Sequence, residues 1–185
     1  MSYDISCFPV VPGEDPLQTY EALCERDGEQ EPGPPDPERE KRKRAIADAL
    51  MNKNPALEPF TFQHGEIVAI EGISVEDAQL CYRHIELNGP DDGNGIQITV
   101  FDDGVSITMP YWHKGEQAVA VVQEIWEYLR IITSFGFACY DPQLGRVLNL
   151  ETDMQDVVSS YAGTVTKIDA IFSPKRQGKP WWKFW

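Results

Sequence analysis

The sequence predicts an α+β fold, with a mainly antiparallel sheet built round a central hairpin at about 95–111. A long helix at about 116–134 and further helices cover it. Three observations lead there. The stretches "GIQITVF" and "GVSITMPYW" alternate apolar and polar residues on either side of Asp102-Asp103-Gly104, as two antiparallel strands with one buried face do. Ile96, Ile98, Val100, Val105, Ile107 and Met109 fall on the buried face, and Gln97, Thr99, Ser106 and Thr108 on the other. Next, Val119, Val122, Ile125, Trp126, Leu129 and Ile132 recur at helical spacing, forming an apolar stripe long enough to cross a sheet. Finally, strands and helices are mixed without a regular βαβ rhythm, which favours an antiparallel sheet with helices packed on one face.

The elements follow in order. Residues 3–10 alternate loosely and read as a strand stopped by Pro9 and Pro12. Asp15-Pro16 is an N-cap followed by proline at the first helical position, and Leu17, Tyr20 and Leu23 or Cys24 continue at helical spacing. A solvated, acidic, proline-rich loop occupies about 27–37. A second helix starts at Asp36-Pro37 and runs to about Asn54. Its first half is charged all round, with Glu38/Arg42 and Glu40/Arg44 set for i,i+4 pairs, and "KRKR" reads as a solvated helix end. Only Ile46, Leu50 and Met51 offer it a face to bury. Residues 59–63 and 66–71 read as short strands, and 74–84 as a helix capped by Ser74 with Asp77, running into a strand near "HIELN". After the hairpin and the long helix, which Gly136 ends, "FACYDPQLGRVLNL" gives two short strands about an Asp-Pro turn. Thr152 with Gln155 forms a capping box for a last helix near 153–171. The expected organisation is one α+β domain over 1–173 and a basic aromatic tail over 174–185.

With 185 residues, 42% of them hydrophobic and 11% aromatic, the chain can bury a proper core. Its formal charge is −14. Lys175, Arg176, Lys179 and Lys183 give the tail +4 with no acid, which leaves −18 on the preceding 173 residues. Such a body repels nucleic-acid phosphates and attracts basic partners, so no nucleic-acid binding is expected. Four cysteines lie far apart without CxxC spacing, as expected of buried free thiols in a reducing cytoplasm. The start lacks a basic region followed by an apolar run, so no signal peptide is expected, and no apolar stretch is long enough to span a membrane.

The search for chemistry returns candidates and no complete motif. Walker A, GxGxxG, GxSxG, HExxH and EF-hand patterns are missing, and no cofactor is expected. "GPDDGNG" (89–95) has the composition of a calcium loop, but its acids do not alternate and no glutamate closes it, so it reads as a turn. His64, His84 and His113 are isolated, and no metal site is expected. Asp102 and Asp103 suit a hairpin turn. They could also serve a hydrolase together with His113, though adjacent strand residues face opposite ways. Tyr111, Trp112 and His113 stand where the hairpin hands over to the long helix, a place where binding side chains are often mounted, although the plainer reading is that Trp112 merely caps the core. The tail "KPWWKFW" concentrates Trp181, Trp182, Phe184 and Trp185. It can pack on its own domain, anchor a partner, or rest at a membrane interface, the only membrane contact this sequence suggests.

The start "MSYDI", the hairpin "FDDGVSITMPYW" and the strand pair "YDPQLGRVLNL" resemble small acidic bacterial proteins in the style of immunity proteins of polymorphic toxin and type VI secretion systems. The resemblance implies a cytoplasmic, non-catalytic α+β protein that neutralises a cognate toxin by binding it. It carries no set of functional residues. The protein-binding candidates read from the sequence are therefore Asp102, Asp103, Tyr111, Trp112, His113 and the four tail aromatics, facing a protein partner such as a basic toxin.

Overall fold

Alternation along the strands decides which way the sheet faces. In the computed structural model of the protein, residues 2–11, 13–26, 33–90 and 94–172 are described. Among them, seven strands form one antiparallel sheet: β1 (Ser2–Pro9), β2 (Glu58–Pro59), β3 (Ile85–Asn88), β4 (Gln97–Val100), β5 (Val105–Pro110), β6 (Phe137–Asp141) and β7 (Arg146–Val147), in the order β2-β3-β4-β5-β1-β6-β7. The helices are α1 (Pro16–Arg26), α2 (Pro37–Lys53), α3 (His64–Glu71), α4 (Val75–Cys81), α5 (Glu116–Thr133) and α6 (Met154–Phe172). The α+β class and the covered central hairpin are as the sequence predicts.

Every second residue of the hairpin enters the core. Ile98 lies directly opposite Ile107, Val100 opposite Val105, and all six predicted hairpin residues are buried. They share one cluster with Val122, Ile125, Trp126 and Leu129 of α5, Ile46 and Leu50 of α2, and Val157 and Tyr161 of α6. These three helices cover one face. α1 is the exception: Tyr20 stacks on Tyr140 with centroids 3.9 Å apart and meets Phe8. Phe8 and Tyr140 neighbour the core residues Cys7 and Cys139, so they point to the other face. α1 therefore packs on the side that the sequence leaves open.

The predicted caps form at three helix starts. Asp36 accepts from Glu38 N at 2.9 Å, Ser74 accepts from Asp77 N at 3.0 Å, and Asp15 accepts from Leu17 N at 3.1 Å. At α6 the expected box does not close. Thr152 Oγ1 donates to Asp153 instead, and Asp153 accepts from Asn149 N at 2.9 Å.

The expected strands at 59–63 and 66–71 are corrected. Glu58 and Pro59 pair with β3 and Phe60 N still donates to Glu86 O at 2.8 Å, but the strand goes no further, and "HGEIVAIE" is helical, closed by Gly72 at φ 70° with its N–H on Val68 O. A short apolar run does not distinguish strand from helix, and the glycine stop supports a helix. The cysteines are corrected in part: Cys7 and Cys139 are buried, whereas Cys24 and Cys81 are exposed on α1 and α4.

The "KRKR" reading is also corrected. Lys43 is 1% exposed, and its Nζ lies 2.8 Å from Asp102 Oδ1 and 2.8 Å from Glu40 Oε1 while donating to Arg83 O at 3.0 Å. Arg83 pairs with Asp102, Arg39 with Asp103, and Arg42 donates to Asp102 O at 2.7 Å. Arg39, Arg42 and Lys43 share the helix face that continues into Ile46 and Leu50. Long-range pairing at the hairpin turn replaces the expected Glu38/Arg42 and Glu40/Arg44 pairs, because charge attraction strengthens where water is excluded. Burial raises the Asp102 carboxyl, but the hydrogen bonds and charges of Lys43 and Arg83 outweigh this and hold it below its ordinary value.

Two substitutions test this architecture. Ile107→Asp places an unpaired charge in the core and should abolish cooperative thermal unfolding, since its cost of several kcal/mol approaches typical total stability. Lys43→Ala removes one partner of a desolvated pair and should cost about 3 kcal/mol in urea titration, whereas Arg44→Ala, on the exposed side, should cost less than about 0.5 kcal/mol.

Candidate protein-binding surface

Between Lys53 and Arg83 the chain has no lysine or arginine but carries Glu58, Glu66, Glu71, Glu76 and Asp77. This segment forms β2, α3 and α4, an arm beside β3. All five carboxylates are exposed, and none enters an ion pair among the described residues. The contrast with α2 is sharp, where charges of both signs interlock.

Apolar side chains lie exposed among these acids. Ile70 is 83% exposed, Phe60 51% and Val75 48%, and α3 buries no residue at all. A run of ring contacts continues from the arm onto the sheet. Phe60 meets Phe62 at 5.1 Å, Phe62 meets His84 at 4.6 Å and Tyr82 at 5.6 Å, and His84 meets Phe101 at 5.3 Å. Tyr82 also donates to Glu71, tying the rings to the end of α3. His84 and Phe101 flank the Ile85–Val100 pair, so the rings gather at the hairpin-turn end of the sheet.

Phe101 is itself exposed and also borders a cleft of about 360 Å³ against α1, whose walls include Phe8, Tyr20, Leu23, Cys24 and Asp103. Burial and the neighbouring Cys24 push the Tyr20 phenol up to about 12, so its hydroxyl stays protonated. The cleft thus extends the aromatic surface toward Phe8, Tyr20 and Tyr140.

The sequence-predicted residues divide between the two ends of β5. Asp102 and Asp103 sit at the turn, beside the aromatic surface, but both are engaged by cations of α2 and by Arg83. Tyr111, Trp112 and His113 lie beyond the opposite end, roughly 20 Å away along a six-residue strand. The carboxylates and His113 therefore do not share a site. Tyr111 is half-buried, stacked on Tyr161 at 5.9 Å, and His113 is buried with Nε2 2.6 Å from Asn94 O. Nε2 faces a carbonyl, so it carries the proton.

Trp112 does not cap the core. It is 59% exposed, and its indole lies so close to Gly95 that any Cβ there would collide with it. Trp181, Trp182, Phe184 and Trp185 lie outside the described residues. Among the described residues no group of three metal-ligating side chains assembles, and no helix is long and apolar enough to cross a membrane.

Sequence reading missed Phe60, Phe62, Ile70, Val75, His84 and Phe101. Two signals were available: the cation-free run through residues 54–82, and paired phenylalanines just after Pro59.

His84 provides a test of this packing. Burial lowers its pKa, an effect that Glu86 opposes and Lys43 reinforces. A depressed histidine binds fewer protons folded than unfolded, so its stabilising contribution is complete above the unfolded value near 6.5 and declines as pH falls through the lower folded value. Thermal melts between pH 7 and pH 5 should show a smaller loss of Tm in His84→Gln than in the parent protein. Equal losses would place the imidazole in solvent.

The chain matches no protein-family model, no curated protein and no solved structure.

Proposed function

We propose that the protein is a non-catalytic protein-binding protein whose arm and adjoining aromatic surface engage a basic partner, in the manner of an immunity protein that neutralises a toxin. The observation that carries this reading is the set of exposed apolar side chains on an arm that also bears five exposed carboxylates with no ion pair among the described residues. Large apolar residues left in water at one place are a feature of interaction sites. Aromatic anchors supply most of the affinity of an interface, while surrounding charge of one sign speeds encounter with the opposite sign.

The partner complementary to this surface has an apolar centre with lysine and arginine around it. Charge attraction accounts for encounter, and burial of Phe60, Phe101 and Ile70 accounts for retention. The reading requires no catalytic group.

The test uses a toxin encoded beside the gene, expressed in catalytically inactive form. Binding measured by calorimetry should weaken at least 100-fold in Phe60→Asp/Phe101→Asp with thermal stability essentially unchanged, because both rings are about half-exposed in the free protein. Trp112→Ala, at the other end of the sheet, should leave affinity within about threefold. Raising salt from 50 to 500 mM should slow association by about tenfold or more. Undiminished binding by the double variant, or its loss in Trp112→Ala alone, would refute this assignment of the surface.

A further inference from the structure

We propose that Cys7 and Cys139 are a disulfide-forming pair built into the sheet, able to link β1 covalently to β6 without rearranging either strand. The two residues are direct partners in the β1–β6 register. Their sulfurs are 3.2 Å apart, with the Cys7 thiol donating to the Cys139 sulfur, and both are buried.

The type of pairing supports closure. Val10 N donates to Gly136 O at 3.1 Å, two residues of the same register, so Val10 and Gly136 are a hydrogen-bonded pair. Hydrogen-bonded and non-hydrogen-bonded pairs alternate along an antiparallel ladder. Counting back from Val10, Cys7 with Cys139 is a non-hydrogen-bonded pair, and Leu148 N accordingly takes the Cys139 carbonyl on the β7 side at 2.7 Å. Pairs of this kind hold their Cα atoms about 4.5 Å apart, within the range a disulfide spans. Neither exposed cysteine is placed this way. Cys24 and Cys81 lie on separate helices, and neither contacts another sulfur among the described residues.

The reaction is thiol–disulfide exchange with a low-molecular-weight disulfide such as oxidised glutathione. One protein thiolate attacks a glutathione sulfur, forms a mixed disulfide and releases one glutathione thiolate. The second protein thiolate then attacks the protein sulfur of that mixed disulfide and releases the second glutathione thiolate. The protein pair loses two protons and two electrons, and one glutathione disulfide becomes two thiols. Burial of both sulfurs makes the folded dithiol slow to react, so exchange proceeds while the sheet is open and the bond is then enclosed. The resulting staple joins β1, third from the β7 edge, to β6, with 131 residues between the two cysteines.

The test uses the full chain carrying C24S and C81S, both at exposed positions. It is unfolded in urea and refolded either with dithiothreitol or with a mixture of reduced and oxidised glutathione. Oxidative refolding should yield monomer without titratable thiol, about 2 Da lighter than the reduced form, with Cys7 and Cys139 joined in one peptide pair. Its Tm should exceed that of the reduced form by roughly 5–15 °C, the difference vanishing when it is unfolded and reduced again. In the natural sequence, iodoacetamide should alkylate Cys24 and Cys81 in the folded reduced protein and spare the other two. Retention of two thiols after oxidative refolding, a predominance of intermolecular disulfides, an oxidised form that melts lower, or rapid alkylation of folded Cys7 or Cys139 would each overturn the proposal.

Discussion

β1 is hydrogen-bonded along both edges, to β5 on one side and β6 on the other, and among the described strands it alone pairs with both β2-β3-β4-β5 and β6-β7. Its backbone groups have no other way to be satisfied within the core. Because Tyr3, Ile5 and Cys7 all face inward, a slip of one residue would turn this set toward α1 and put Asp4 and Ser6 inside. The chain's first strand must therefore find partners that come about a hundred residues later and more. Both helices that complete the main layer beyond α2 depend on this joint, since α5 connects β5 to β6 and α6 follows β7.

The far end of β1 shows how this joint is anchored. Tyr3 donates to Asp141, whose other oxygen accepts from Gln143 N at 2.8 Å and Leu144 N at 3.0 Å. One buried carboxylate thus shapes the β6–β7 turn and holds the first strand against it. Tyr161 of α6 packs edge-on against Tyr3 and donates to Pro110 O, so strand, helix and hairpin end meet through two phenol hydroxyls whose rings fill the core.

Charge is distributed by the same logic of water access. Where α2 closes over the hairpin turn, carboxylates and cations are matched, because an unmatched charge there would be costly. The carboxylates of the arm of β2, α3 and α4 are exposed, so they need no cation to offset a desolvation cost. The same openness leaves Phe60, Ile70 and Val75 without cover. Apolar exposure and like charge therefore coincide on one element, whereas Asp102 and Asp103 are engaged by cations of the same chain.

The α+β class, the hairpin with its buried face, the span of α5 and the caps at Asp15, Asp36 and Ser74 were legible in the sequence, because each follows from periodicity or from a side chain bonding its own backbone two or three residues away. The helix at His64–Glu71 was not, since six residues of Ile, Val, Ala and Glu satisfy either period and only their lack of a strand partner separates the two. Trp112 was picked out from its position at an element end, but its contact with Gly95 depends on the two segments meeting in the fold. Lys43 looked solvated because its partners, Asp102 and Arg83, come from elements far along the chain. The aromatic surface was hidden for the same reason, as Phe62, His84 and Phe101 become neighbours only when β3 pairs with β2 on one side and β4 on the other. Sequence alone thus determined the features set by local spacing, and tertiary structure decided every feature that requires residues remote in the chain to share a desolvated or an exposed place.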